Sequence, residues 1–94
     1  MGDNIRRNPL MDVIFREKPA FMLTTIKNAK KNIYASTLAK EVDCTYSHIV
    51  KVLTKFEKHG LVTFEKQGRL KYLTLTKKGY EVAEYIEKIN NILL

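Results

Sequence analysis

The stretch Thr45–Gly60, TYSHIVKVLTKFEKHG, decides the fold. Thr45 is placed to cap a helix, because its hydroxyl oxygen can accept from the free N–H groups of the first turn. Gly60 is free to take the left-handed conformation in which helices commonly end. Between them Ile49, Val52, Leu53 and Phe56 recur at helical spacing and make one stripe for burial. The opposite face carries Tyr46, Ser47, Val50, Lys51, Thr54, Lys55 and Lys58, with Glu57 the one acid at its edge. Hydroxyls, ammonium groups and one exposed apolar group suit phosphates and base edges. A merely solvated helix face has much the same composition, so the neighbouring segments decide between the two.

Upstream, Ser36–Val42 predicts a short helix with Leu38, Ala39 and Val42 inward, capped by Ala35 or Ser36. Asp43-Cys44 is then a turn into Thr45. Helix, short turn and helix, with a small Ala39 where the two cross, is the pattern of a helix-turn-helix. Cys44 reads as a buried filler of the turn rather than a nucleophile. Ile33-Tyr34 fits a short strand. Before it, Ala20, Met22 or Leu23, Ile26 and Ala29 predict a helix over about 19–29, with Lys18 biased away from helix by the proline that follows. Lys27, Lys30 and Lys31 sit at its end, where cations suit the helix dipole. Asn8-Pro9 opens a still earlier helix to about Arg16. Its Leu10, Met11, Val13, Ile14 and Phe15 suit either core packing or a dimer contact, and residues 1–7 read as frayed.

Downstream of Gly60 the hydrophobic period changes to two. Leu61, Val62 and Phe64, then Leu70, Tyr72, Leu73 and Leu75, predict strands over about 61–66 and 69–75. Gly68 can supply the positive φ of a tight hairpin turn. The tip is flanked by Lys66 and Arg69, with Lys71 two residues on. A basic tip on a ribbon suits a groove or a row of phosphates, although a solvated hairpin carries charged edges too. Thr76 caps a last helix, about Lys77–Leu93. Its stripe Val82-Ile86-Ile89-Leu93 can pack on the domain, which leaves Tyr85 and Ile92 over. That excess suits a dimer interface or a wrap around the N-terminal helix.

Composition narrows the function. The 94 residues carry a net charge of +7, and 45% are hydrophobic, which reads as one small globular domain. Lysines 77, 78 and 88 balance glutamates 81, 84 and 87, so the excess charge lies in residues 1–76. A basic body favours a polyanionic partner. The lone Cys44 suits a reducing, cytoplasmic setting. No apolar run is long enough to cross a membrane, and no secretory leader is apparent.

At this point the chain resembles the MarR-like group of winged helix-turn-helix transcription regulators. The resemblance rests on Leu38-Ala39-Lys40-Glu41-Val42, on Ile49–Leu53, on Phe56-Glu57-Lys58-His59-Gly60-Leu61-Val62 and on Gly68-Arg69. Tyr72-Leu73-Thr74-Leu75-Thr76-Lys77-Lys78-Gly79 completes it, and its Leu-Thr-x-x-Gly is the most specific piece. Gln67 stands where the family often has an Asp that helps hold the wing. The resemblance implies a mainly α (α+β) winged helix with a two-stranded β wing and a C-terminal dimerisation helix. It also implies a homodimer on a pseudo-palindromic double-stranded DNA operator, nucleoid-associated. The recognition helix would enter the major groove, and the wing, with Arg69 at its tip, would touch the minor groove or backbone.

The residues expected at DNA are therefore Thr45, Tyr46, Ser47, His48, Val50, Lys51, Thr54, Lys55, Lys66, Arg69 and Lys71. Among them Tyr46, Ser47, Val50 and Lys51 are expected at base edges, with Val50 suited to a thymine methyl. Those expected at a dimer interface are Leu10, Val13, Ile14, Tyr85, Ile89, Ile92 and Leu93. No metal, cofactor or catalytic constellation is expected: His48 and His59 lack zinc spacing, and no phosphate loop or Ser/His/Asp set is present. Two rival readings remain at this level. One is a winged helix that binds protein within transcription or replication machinery. The other is an architectural basic protein that binds DNA or RNA without sequence preference.

Overall fold

A computed structural model describes residues 13–94. The elements run α1 (Glu17–Asn28), α2 (Ala35–Glu41), α3 (Tyr46–Lys58), β1 (Val62–Gln67), β2 (Leu70–Leu75) and α4 (Lys77–Leu93). The expected helix from Asn8 to Arg16 lies largely outside the described residues; its end, Val13 and Ile14, is helical. β1 and β2 form an antiparallel hairpin with Val62 opposite Leu75, Phe64 opposite Leu73 and Gln67 opposite Leu70. This is a helix-turn-helix followed by a two-stranded wing and a closing helix.

The core lies where α1, α2 and α3 meet the base of the hairpin. Met22, Leu23, Leu38, Ile49 and Phe56 are fully buried in it, and Leu61, Val62 and Leu73 close it from the wing side. All four residues of the α3 stripe are buried, as their spacing predicts. On the hairpin, opposite residues share a face, so Val62 and Leu73 face the core while Thr63 and Thr74 pair their hydroxyls on the other side at 2.7 Å. Ile33 forms the expected extended contact, a single bridge in which Leu73 N–H donates to Ile33 O at 2.8 Å. That bridge fastens the α1–α2 loop to the wing.

Three local expectations are corrected. α1 begins at Glu17, not at Pro19, and Lys18 is helical despite the proline after it. Pro19 lies buried in the first turn, where no intrahelical acceptor awaits its missing N–H. The local bias on Lys18 is outweighed by its side chain, whose Nζ donates to Val42 O at 2.8 Å and Asp43 O at 2.9 Å. The residue capping α2 is Tyr34, not Ala35 or Ser36, and it makes no side-chain capping bond. Cys44 is only half-buried against the core, because the turn it occupies lies at the surface. Asp43 beside it takes a left-handed φ of 55°, a conformation that short polar residues tolerate best.

Candidate nucleic-acid interface

α3 is fixed at both ends. The Thr45 hydroxyl accepts from His48 N–H at 3.2 Å, which is the expected cap. At the other end Leu61 N–H donates to Phe56 O at 2.9 Å, and Gly60 takes φ 76°, so the chain leaves the helix through a left-handed glycine. With its inner stripe buried, the helix presents Tyr46, Ser47, His48, Val50, Lys51, Thr54 and Lys55, all exposed. Tyr46 is 59% and Val50 39% exposed, large apolar groups left in water on an otherwise polar face. Thr54 differs from the expectation in one respect. Its hydroxyl donates to Val50 O at 2.8 Å, so its proton is used inside the helix and its oxygen is left to accept.

The wing tip holds the second set of expected residues. Lys66, Arg69 and Lys71 are all exposed. The turn is the two residues Gly68-Arg69, with φ 65° at Gly68, the positive value that a type II′ hairpin turn needs at its first position. Lys66 and Lys71 stand directly opposite one another in the register. Like charges across a pair of strands destabilise a hairpin, and an anion bound between them would relieve that cost. Gln67 accepts from Asn32 Nδ2 at 3.1 Å and so ties the ribbon to the α1–α2 loop. Leu70, 57% exposed beside Arg69, adds an apolar group to the tip that strand periodicity assigned only to the ribbon.

The residues expected at a dimer interface fall into two groups. Ile14 is buried in the core and Val13 packs against it, while Leu10 lies outside the described residues. Tyr85 (58% exposed), Ile89, Ile92 and Leu93 (78%) project from α4 into solvent. The stripe Val82-Ile86-Ile89-Leu93 therefore packs only in its first half. Val82 and Ile86 are partly buried against the core, and Gly79 and Ala83 are the buried residues of α4.

The same helix is fastened to the domain by polar groups that periodicity does not reveal. Lys27 Nζ pairs with Glu87 at 2.7 Å, and Asn28 Nδ2 donates to the same carboxylate at 2.7 Å. These bonds, Asn28 first and Lys27 second, lower the Glu87 pKa from its ordinary value, and the Glu87 contact raises that of Lys27. Lys27 thus spans α1 and α4, beyond the helix-dipole role its position suggested.

Comparison with known proteins identifies the class. The family of winged helix DNA-binding domains matches residues 17–79, and the chain belongs to that family, one of binding modules rather than enzymes. It is 31% identical over 84 residues to an uncharacterized protein of Archaeoglobus fulgidus, covering 86% of this chain and 88% of that one. The crystal structure of AF1382 from Archaeoglobus fulgidus superposes with a TM-score of 0.79 at 30% identity, covering 89% of this chain and 96% of the other. MepR, a transcription regulator of the Staphylococcus aureus multidrug efflux pump MepA, gives a TM-score of 0.79 at 17% identity. There the match covers 89% of this chain and 64% of MepR, and at that identity the likeness is one of fold. The structure of the MepR–DNA complex superposes with a TM-score of 0.74 at 17% identity, covering 89% of this chain and 71% of that one. Among the described residues no group of His, Cys, Asp and Glu is arranged to hold a metal, and no helix is long and apolar enough to cross a membrane.

Proposed function

We propose that this chain is a MarR-like transcription regulator that binds double-stranded DNA in sequence-specific fashion as a homodimer. The observation that carries the reading is the outer face of α3. A helix locked by a fully buried stripe exposes Tyr46, Ser47, Val50, Lys51 and Lys55 together, on the second helix of a helix-turn-helix. In this reading α3 enters the major groove, Tyr46, Ser47, Val50 and Lys51 meet base edges, and Thr45 and Lys55 meet phosphates. Thr54 accepts rather than donates, so it suits a base amino group and not a phosphate. The wing tip, with Lys66, Arg69 and Lys71, reaches the adjacent minor groove or backbone. The apolar end of α4 pairs with its counterpart in a second copy, which places two recognition helices on a pseudo-palindromic site. MepR, whose fold this chain shares, is a regulator with a structure in complex with DNA, and this supports the same use of the fold here.

The test is a fluorescence-anisotropy titration on the DNA upstream of its own gene and on random duplex, at two salt concentrations, with sedimentation to weigh the particle. The expected result is a dimer that prefers one duplex, with affinity falling as salt rises. Equal binding to both duplexes would turn the reading to an architectural protein. A failure to bind either would turn it to a protein partner for the exposed Tyr46 and Val50.

A further inference from the structure

The start of α1 and one flank of α3 enclose a cleft of about 260 Å³ that neither the helix-turn-helix nor the wing accounts for. Its lining joins the apolar Val13, Pro19 and Val52 to the polar Arg16, Lys18, His48, Lys51 and Lys55, against the single carboxylate of Glu17. His48, Lys51 and Lys55 lie three and four residues apart on α3, so they share one flank of the helix. Arg16 faces them from the residue before α1, in extended conformation and exposed. Lys18 plays a different part from the other cations. Its ammonium is held by Val42 O and Asp43 O, so it braces the turn between α2 and α3. Gathering like charge into one concavity costs free energy in the unbound protein and focuses an attractive field on an anion.

We propose that this cleft seats a phosphodiester of the DNA backbone, with Arg16 and Lys55 on either side of it and Lys51 at its rim. Continuity with the outer face of α3 selects a phosphodiester of the duplex over another anion. The guanidinium of Arg16 presents a planar fork of donors that fits two phosphate oxygens. Lys51 and Lys55 belong both to the cleft and to the outer face of α3, so an anion seated here is continuous with a duplex lying along that helix. The two walls come from separate elements, so a seated phosphate fixes the roll of α3 about the duplex. The start of α1, remote in sequence from the recognition helix, is thereby part of the DNA contact. The inference rests on the DNA-binding reading above.

The experiment is a duplex titration of the full chain across a range of salt from about 50 to 200 mM, over which phosphate contacts dominate the change in affinity. The variants are Arg16→Gln, Arg16→Lys, Lys55→Gln and, as a control at the exposed start of α4, Lys77→Gln. Arg16→Gln is expected to weaken binding on every sequence alike and to reduce the slope of log K against log salt by about two, one contact being lost from each protomer of the dimer. Arg16→Lys keeps the slope with some loss of affinity, Lys55→Gln loses about two units, and the double Gln variant about four. Lys77→Gln changes nothing. A wild-type slope in Arg16→Gln, or a loss confined to one sequence, overturns the cleft. Should Arg16→Gln melt early, Arg16→Ala supplies the same readout, since Lys55 alone meets a phosphate with or without the cleft. Failure of the wild-type chain itself to bind any duplex overturns the DNA-binding reading, and is thus distinguishable from failure of the cleft alone.

Discussion

α3 and α4 begin in the same way and end differently. Each is capped by a threonine whose hydroxyl accepts from the N–H three residues on, Thr45 from His48 at 3.2 Å and Thr76 from Gly79 at 3.0 Å. α3 then buries every member of its apolar stripe and shows a largely polar face. α4 buries only Gly79 and Ala83 and sends Ile92, 82% exposed, and Leu93 into solvent. The contrast separates what a cap decides from what packing decides. A cap fixes where a helix starts; the length of core alongside it fixes how much of its apolar surface is covered. α3 is matched to the core of its own chain, and α4 outruns it, which is the geometric basis for proposing a second copy there.

The largest expected effect tests the matched helix directly. Phe56→Ala removes a fully buried ring from α3 and should cost about 4 kcal/mol in urea unfolding. Ile92→Ala, in the unmatched helix, should stay within about 0.5 kcal/mol in dilute monomer while weakening self-association. A comparable loss from both would erase the distinction between the two helices.

Next in size is Gly79→Ala. A Cβ at Gly79 would collide with Leu61 O, a backbone atom that cannot step aside, so a loss of about 3 kcal/mol is expected. A melting temperature like that of the parent would mean that α4 does not dock where it is placed here.

The two caps should be smaller and unequal. Thr45→Ala should cost about 1 kcal/mol. Thr76→Ala should cost more, because the Thr76 hydroxyl also donates to Gly60 O at 2.6 Å. Equal losses in calorimetry would remove the added role given to Thr76.

The smallest effect concerns acid. Asn28 and Lys27 hold the Glu87 carboxyl below its ordinary value, so their contribution is fully present above the unfolded-state glutamate value, about 4.3. It fades as pH falls from there through the folded value. Glu87→Gln should flatten that acid limb of the melting temperature against pH and little else, since the pair is near the surface.

Much of this was legible in the residues themselves. The α3 stripe, both threonine caps, the Gly60 exit and the span of α4 follow from spacing and cap chemistry, which are local. Gly68 told where the hairpin turns because positive φ is a property of one residue. The Leu-Thr-x-x-Gly motif was legible as a pattern and gains its physical reason from the structure: Thr76 closes the first turn, and the glycine makes room for Leu61.

What spacing could not supply was non-local. Lys18 looked like the residue before a proline, and nothing nearby announces a bond to carbonyls some 24 residues away. Arg16 and Lys55 carry no shared signal until α1 is laid beside α3. The half-packed stripe of α4 was invisible because periodicity describes a face and not the extent of the surface that meets it. For the candidate site, the residues of α3 and the wing could be listed from chemistry, but the spent proton of Thr54 and the facing of Lys66 by Lys71 required coordinates.

The junction between the end of α3 and the start of α4 has a mechanical consequence. Thr76 Oγ1 donates to Gly60 O, Thr76 N–H donates to Leu61 O at 3.0 Å, and Lys78 Nζ donates to His59 O at 3.1 Å. Three bonds thus weld the tail of one helix to the head of the other, with a glycine pressed against the seam. The two helices act as arms of a bell-crank: α3 cannot swing at its C-terminal end without turning the root of α4. In a pair of chains joined through the far end of α4, the separation of the two reading heads is set by a stiff elbow rather than by a compliant linker.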